Sequence, residues 1–194
     1  MDTEKLESLL KDIDRHGAML EFEARSVHSE DLVDIAIARN FIRIMETEIG
    51  KIAYLAHKGR IMVGHSSGYI PSEESLINAV FLRQVEKDLT KKGYETSVNE
   101  RRNSVVYYEN GKKVLVLAKQ DGYTRVGIRR LYAKEVLSNE FSEMHVYCYD
   151  ADKIEMIRLR DAFYEPEPGR KKLALDPEKF KLFNFSPKAF TQES

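Results

Sequence analysis

At 194 residues the chain has room for one ordinary domain with a helical appendage and not for two full enzyme domains. Its composition, 42% hydrophobic and 32% charged with a mean hydropathy of -0.47, excludes both a membrane bundle and a disordered acidic tail. A net charge of -1 gives the molecule as a whole no attraction for nucleic acid or anionic lipid, so any such role has to come from local charge. The single cysteine, Cys148, excludes an intramolecular disulfide framework and a cysteine-rich zinc module and reads as a small buried apolar residue. No apolar run reaches the roughly 18 residues of a membrane span and residues 1–14 are acidic, so a cytoplasmic protein with no membrane partner is expected.

In chain order, Leu6, Leu9, Leu10 and Ile13 recur at helical spacing and predict a helix from Thr3 to about Asp14, closed by His16 and Gly17. Ser29, followed by Glu30 and Asp31, reads as an N-cap with acids in the first turn, opening a long helix over about 30–58 that stops at Gly59. Its stripe Leu32, Ile35, Ile42, Met45, Ile49 and Ile52 is joined by a second, Val33, Ile37, Phe41 and Ile44, an arc wider than one packing partner requires. Two readings follow: a helical hairpin packed on the domain behind it, or a helix that forms a homodimer or binds a protein partner. Residues 1–63 are expected as an N-terminal helical region, 64–70 as a glycine–serine hinge, and 71–194 as one domain ending in a Pro/Phe-containing tail. Gly64 to Gly68 lacks the lysine of a phosphate-binding loop.

Ser72 caps the next helix, whose stripe is Ile77, Phe81, Val85 and Leu89 and which closes at Gly93. Strands are predicted at Tyr94–Val98, Ser104–Tyr108 and Lys113–Lys119, the last two joined through Asn110–Gly111 as a tight hairpin. The stretch 124–141 reads mostly as helix, Met144–Tyr149 as an apolar strand, and Ile154–Leu159 as a fifth strand by alternation. The tail, with Pro166, Pro168, Pro177 and Pro187 among Phe180, Phe183, Phe185 and Phe190, is expected to drape over the core as short pieces.

Charge is uneven along the chain. Residues 1–40 hold ten acids against five bases, whereas 112–134 hold seven bases (Lys112, Lys113, Lys119, Arg125, Arg129, Arg130, Lys134) against Asp121 alone. A polyanion site is expected in that second stretch. The five histidines are scattered without ligand spacing and read as surface or capping residues, and no cofactor fingerprint follows a strand, so no metal site and no cofactor is assigned.

Three segments carry a family resemblance: Glu86–Lys87–Asp88–Leu89–Thr90–Lys91–Lys92–Gly93–Tyr94–Glu95, then Lys113–Val114–Leu115–Val116–Leu117–Ala118–Lys119, then Val146–Tyr147–Cys148–Tyr149–Asp150–Ala151–Asp152–Lys153–Ile154. With their element order they resemble the PD-(D/E)XK nuclease superfamily, the restriction-endonuclease-like fold shared with archaeal junction resolvases, over residues 78–159. The resemblance implies a mixed α/β class: a helical N-terminal region followed by a restriction-endonuclease-like mixed sheet flanked by helices. It also implies two carboxylates from adjacent strands on Mg²⁺ and a lysine, here Lys119, that orients the attacking water. Acid and lysine two apart share one strand face.

The chain departs from that pattern at the acids. Leu117 stands two before Lys119, Asn103 or Ser104 stands at the strand-two position, and Leu82 at the helix position. Leucine cannot ligate a hard cation. Glu86, Glu100, Glu109 and Asp121 are the carboxylates available for relocation, with Glu86, Glu100, Asp121 and Lys119 as the candidate catalytic set. The first expectation is a catalytically impaired nuclease-like protein that binds nucleic-acid backbone through Lys112, Lys113, Lys119, Arg125, Arg129 and Arg130. The alternatives are an Mg²⁺-dependent endonuclease with relocated acids, and a regulator that contacts another protein through the acidic helical front.

Overall fold

Burial of Leu6, Leu9, Leu10 and Ile13 on one side makes α1 (Thr3–His16) amphipathic. Its ends are set locally: the Asp2 carboxylate accepts from the Glu4 amide, and Gly17 at φ 99° takes the left-handed turn that a side chain would resist. The computed structural model describes residues 2–66, 69–99, 103–119, 125–165 and 174–190. The chain parts into two compact units, residues 1–83 with 188–194, and residues 84–187. The division therefore runs through a helix, α5 (Glu73–Lys91), and not through the 64–70 stretch, of which Ser67 and Gly68 lie outside the described residues.

In the first unit α1 is followed by β1 (Ala18–Leu20), α2 (Glu21–His28), α3 (Glu30–Ala38), β2 (Ile42–Thr47), β3 (Gly50–Leu55) and α4 (His57–Met62). The long helix expected over 30–58 is thus a correction: α3 ends after nine residues and a β-hairpin takes its place. Asn40 adopts φ 60°, the Phe41 amide reaches back to the Ala36 carbonyl and the Asn40 amide to Ile37, a pair of bonds that closes a helix. Beyond it the apolar residues follow period two. Ile42 and Ile44 face Leu55 and Ala53, whereas Met45 faces Ile52.

The three strands form an antiparallel sheet in the order β1-β3-β2. One face carries Met19, Ile42, Ala53 and Leu55 against α1 and α3; the other carries Ala18, Leu20, Ile52 and Tyr54 against Leu76, Ile77 and Val80 of α5. Arg83 of α5 is buried with its guanidinium on Asp12 Oδ1 at 2.9 Å and Glu23 Oε2 at 3.3 Å, and His28 Nε2 meets the other Asp12 oxygen at 3.0 Å. Burial pushes the Asp12 carboxyl up, but hydrogen bonds from Arg83 and His28 outweigh it and leave the group below its ordinary value.

The second unit contains the last turns of α5, then β4 (Thr96–Val98), β5 (Val105–Glu109), β6 (Lys112–Lys119), α6 (Arg125–Glu135), β7 (Glu143–Tyr149), α7 (Lys153–Tyr164) and β8 (Phe180–Phe185). The sheet order is β4-β5-β6-β7-β8; β4, β5 and β6 are antiparallel neighbours, and β7 and β8 continue the sheet parallel to β6. Asn110 at φ 50° and Gly111 at φ 77° make the tight β5–β6 turn expected from the sequence. One sheet face, with Val106, Leu115, Leu117, Met144, Val146, Cys148, Phe180 and Leu182, packs on Ile128, Tyr132 and Val136 of α6 and on Met156 and Phe163 of α7. Cys148 is buried in this core and forms no disulfide.

Two expectations are corrected here. Residues 154–159 are helical, because Asp152 caps α7 by accepting from the Glu155 amide and the buried pair is Met156 and Phe163, two turns apart. Of the residues that suggested a strand (Ile154, Met156 or Ile157, and Leu159), Ile154 and Ile157 are exposed and Met156 is buried on the helix. The tail does not merely drape: Phe180–Phe185 is the fifth strand, and only 188–190 forms a separate short 3₁₀ turn. Among the described residues no helix is long and apolar enough to cross a membrane.

Gly59 is fixed by a close approach. A Cβ there would stand 2.1 Å from the Phe41 carbonyl oxygen, which already accepts the Ala56 amide at 2.9 Å. Gly59→Ala is expected to lower unfolding stability by about 1–3 kcal/mol, the range for overpacking, as read by urea denaturation followed by circular dichroism.

Candidate nucleic-acid interface

β6 separates the cations that the sequence brings close. Lys112 and Lys119 stand at opposite ends of the strand, roughly 23 Å apart at the usual rise of 3.3 Å per residue, so they cannot share a phosphate. At the near end Lys112 Nζ donates to Glu143 Oε1 at 2.7 Å. Lys113 Nζ donates to Glu140 Oε1 at 2.8 Å and lies 4.4 Å from the centre of the Phe141 ring. Each pair raises the lysine above its ordinary pKa, first through the carboxylate hydrogen bond, and each lysine is engaged within the unit.

Arg129 is also engaged inside. It is only 9% exposed, its guanidinium donates to the Ala162 carbonyl and lies 5.6 Å from the Phe163 ring centre, so it ties α6 to α7. Arg130, one residue on, is exposed. Arg125 opens α6, but its side chain lies outside the described residues, as do Glu100 and Asp121.

Lys119 sits at the carboxyl end of β6, level with Cys148 on parallel β7. It shares the α6–α7 face of the sheet with Leu115 and Leu117, because alternate residues share a face. Leu117 is 6% exposed and belongs to the apolar core, so the position two before the lysine is filled with hydrocarbon. Glu86 is on the other side. It is buried, accepts from Thr96 Oγ1 at 2.8 Å, and Thr96 pairs with Tyr107 on the face opposite Leu117. Glu109, also on that opposite face, accepts from Tyr94 Oη at 2.5 Å. Neither acid can join Lys119. Asn103 is exposed and Ser104 buried.

The richest polar cluster of the unit was not legible in the sequence. On the α5 side of the sheet, His145 Nε2 meets Glu143 Oε2 at 2.9 Å and His145 Nδ1 meets Tyr107 Oη at 3.0 Å, with Lys181 Nζ on Glu143 Oε2 at 2.7 Å. Glu143, His145 and Tyr107 are each 3% exposed. A carboxylate–imidazole–phenol order of this kind tunes a base where substrate can reach it. Here it is enclosed by Phe183 and Tyr147 and fastens β5, β7 and β8 together. Only the Glu-x-His spacing at the start of β7 marks it, and Tyr107 lies 38 residues away. His145 and His16, expected as surface or capping residues, are buried: His145 on an inward strand face, a correction, and His16 on the core-facing last turn of α1, where it does stand at the helix end.

Among the described residues no group of three or more His, Cys, Asp or Glu side chains is placed to hold a metal ion. No protein-family model and no curated protein matches the chain.

The cluster sets an acid response. Burial pushes the Glu143 carboxyl up, yet hydrogen bonds from Lys112, Lys181 and His145 outweigh it and bring the group from 4.5 down to about 2. Burial also holds His145 below its ordinary 6.5 despite the Glu143 hydrogen bond. In both cases the unfolded chain binds more protons than the folded one, so stability is lost as pH falls: below 6.5 for His145, and between 4.5 and about 2 for Glu143. Glu143→Gln is expected to be less stable than the parent at pH 7 and to show a flatter loss between pH 4.5 and 2. Thermal unfolding across that range checks it.

Proposed function

We propose that the chain is a nucleic-acid-associated protein that holds phosphate backbone and does not cut it. The observation that carries this reading is the pair Leu117 and Lys119: a cation at the carboxyl end of a parallel strand, with packed hydrocarbon where a metal-binding carboxylate would have to stand. The order α5-β4-β5-β6-α6-β7, three antiparallel strands joined in parallel by a fourth after a helix, supports the kinship with restriction-endonuclease-like proteins that the sequence resemblance implies. The cations this reading assigns to backbone contact are half-buried Lys119 and exposed Arg130, with Arg125 at the start of the same helix.

A second reading is favoured by one observation. In the first unit α2 and α3 meet at Ser29 and lead into the β2–β3 hairpin, an order in which the second helix commonly reads a DNA groove. The exposed residues of α3, however, include Glu30, Asp31, Asp34 and Ile35, and acids there repel phosphate. That face suits a basic protein partner better than DNA.

Fluorescence anisotropy with duplex, branched and single-stranded DNA at rising salt tests the first reading. Affinity is expected to fall steeply with salt, and Lys119→Ala and Arg130→Ala each to reduce the slope of log affinity against log salt by about 0.9, the share of one phosphate contact. Absence of any salt-sensitive complex leaves the protein-partner reading in its place. Mg²⁺- or Mn²⁺-dependent cleavage abolished by Lys119→Ala would overturn the non-cutting part alone.

A further inference from the structure

A cavity of about 200 Å³ opens in the first unit, between the start of β2, the end of β3, α4 and the segment Tyr69–Ile70–Pro71. Its polar walls are Arg43, His57 and Arg60, and among the described residues no carboxylate lines it. Two guanidinium groups facing one small space repel each other unless an anion lies between them. Arg43 is exposed on β2, directly across from Tyr54 on β3. Arg60 lies with its guanidinium carbon 5.4 Å from the centre of the Tyr69 ring, while its Nε is buried and has no hydrogen-bond partner among the described residues.

A buried N–H without an acceptor is rare in folded proteins and destabilises the site that holds it. Two other arginines of this unit have acceptors: Arg83 has Asp12 and Glu23, and Arg25 has Glu21 and Asp34. Arg60 lines a cavity that a second arginine and a histidine also line, and its buried Nε has no acceptor among the described residues.

The chemistry of the walls narrows the ligand. Paired guanidinium forks match the oxygens of a phosphate group and bind them through two parallel N–H bonds. Tyr69, 58% exposed, and Ile70, 78% exposed, present a flat aromatic and apolar surface next to the cations. A nucleobase stacks on such a surface with little dependence on its identity. The cavity is smaller than the 300 Å³ or so at which pockets for whole drug-sized ligands begin, so it holds a phosphate and part of its sugar, with the base left outside on Tyr69.

We infer that this cavity is a binding site for a phosphate monoester carrying a nucleobase, held by Arg43 and Arg60 and stacked on Tyr69. The same chemistry is offered by a free nucleoside monophosphate and by the phosphorylated end of a single strand. The site stands on the first unit and does not depend on the Lys119 surface.

The test uses the full chain at constant salt. Adenosine 5′-monophosphate is titrated by calorimetry, and a short single-stranded oligonucleotide with a 5′-phosphate is compared with its 5′-hydroxyl twin by anisotropy. The expected result is a preference of about tenfold for the phosphorylated strand, the worth of one charge-assisted hydrogen-bonded group, or measurable binding of the monophosphate. Whichever of the two binds more tightly identifies the source. Arg60→Gln and Arg43→Gln are each expected to remove that binding, and Lys119→Ala to leave it unchanged. Arg43 is an exposed strand residue, so its variant keeps the test valid if Arg60→Gln fails to fold, as judged by thermal unfolding. Equal binding of the two strands with no uptake of the monophosphate at millimolar concentration overturns the inference, as does a preference that persists in both folded arginine variants.

Discussion

The second unit is registered on β6, the middle strand of its sheet, which is covered on both faces. Burial of Leu115 and Leu117 beneath α6 and α7 obliges Lys119 to leave the strand on that same side, since alternate residues share a face. The register is held at the other end by the Asn110–Gly111 turn and the Glu109–Lys112 pair, and along its length by β7. A slip of one residue would carry Leu117 to the α5 side and Lys119 with it. Position 117 is therefore committed to the core, and a carboxylate placed there would be taken out of water, at a cost of several kcal/mol.

That commitment also explains why a basic stretch of sequence does not become a basic patch. The bases of 112–134 leave a strand at both ends and a helix on different sides, and they meet different partners. Lys112 and Lys113 neutralise Glu143 and Glu140, and Arg129 is used to join two helices. Glu143 in turn lets His145 and Tyr107 be buried together, because three donors converge on one carboxylate. Three of the seven bases of that stretch are thus tied to partners within the unit.

What could be read beforehand was whatever rests on neighbours in sequence. The α1 stripe, the α5 stripe, the Asn-Gly hairpin and the strand before Lys119 all depend on spacings of two to four residues, and the mixed α/β class follows from them. The 30–58 region misled because Ile42, Met45, Ile49 and Ile52 satisfy a helical period by coincidence while the chain follows a hairpin; Asn40 and Gly50, both at positive φ, were the local stops that outweigh the stripe. In α7 the run Ile154, Met156 or Ile157, and Leu159 imitates strand alternation, although Ile154 and Ile157 are exposed and Met156 is buried on a helix face. β8 joins β7 in parallel after a long connection, a pairing with no local signal. The site followed the same rule. Lys119 was legible from its strand, whereas the partners of Arg129, Glu143 and Arg60 lie in other elements and become visible only in three dimensions.

The proposed reading has a consistent electrostatic logic. A phosphodiester-cutting site needs carboxylates to hold its metal, and those carboxylates repel the substrate backbone whenever the metal is away. With Leu117 in place of the acid, a lysine at the strand end meets phosphate with no opposing charge two residues off, and affinity no longer waits on a divalent ion. On the proposed reading, leucine at position 117 both withholds a metal ligand and keeps an opposing charge away from phosphate. The burial of Leu117 adds apolar contact to the core, so on that reading fold stability and backbone binding place no conflicting demand on β6.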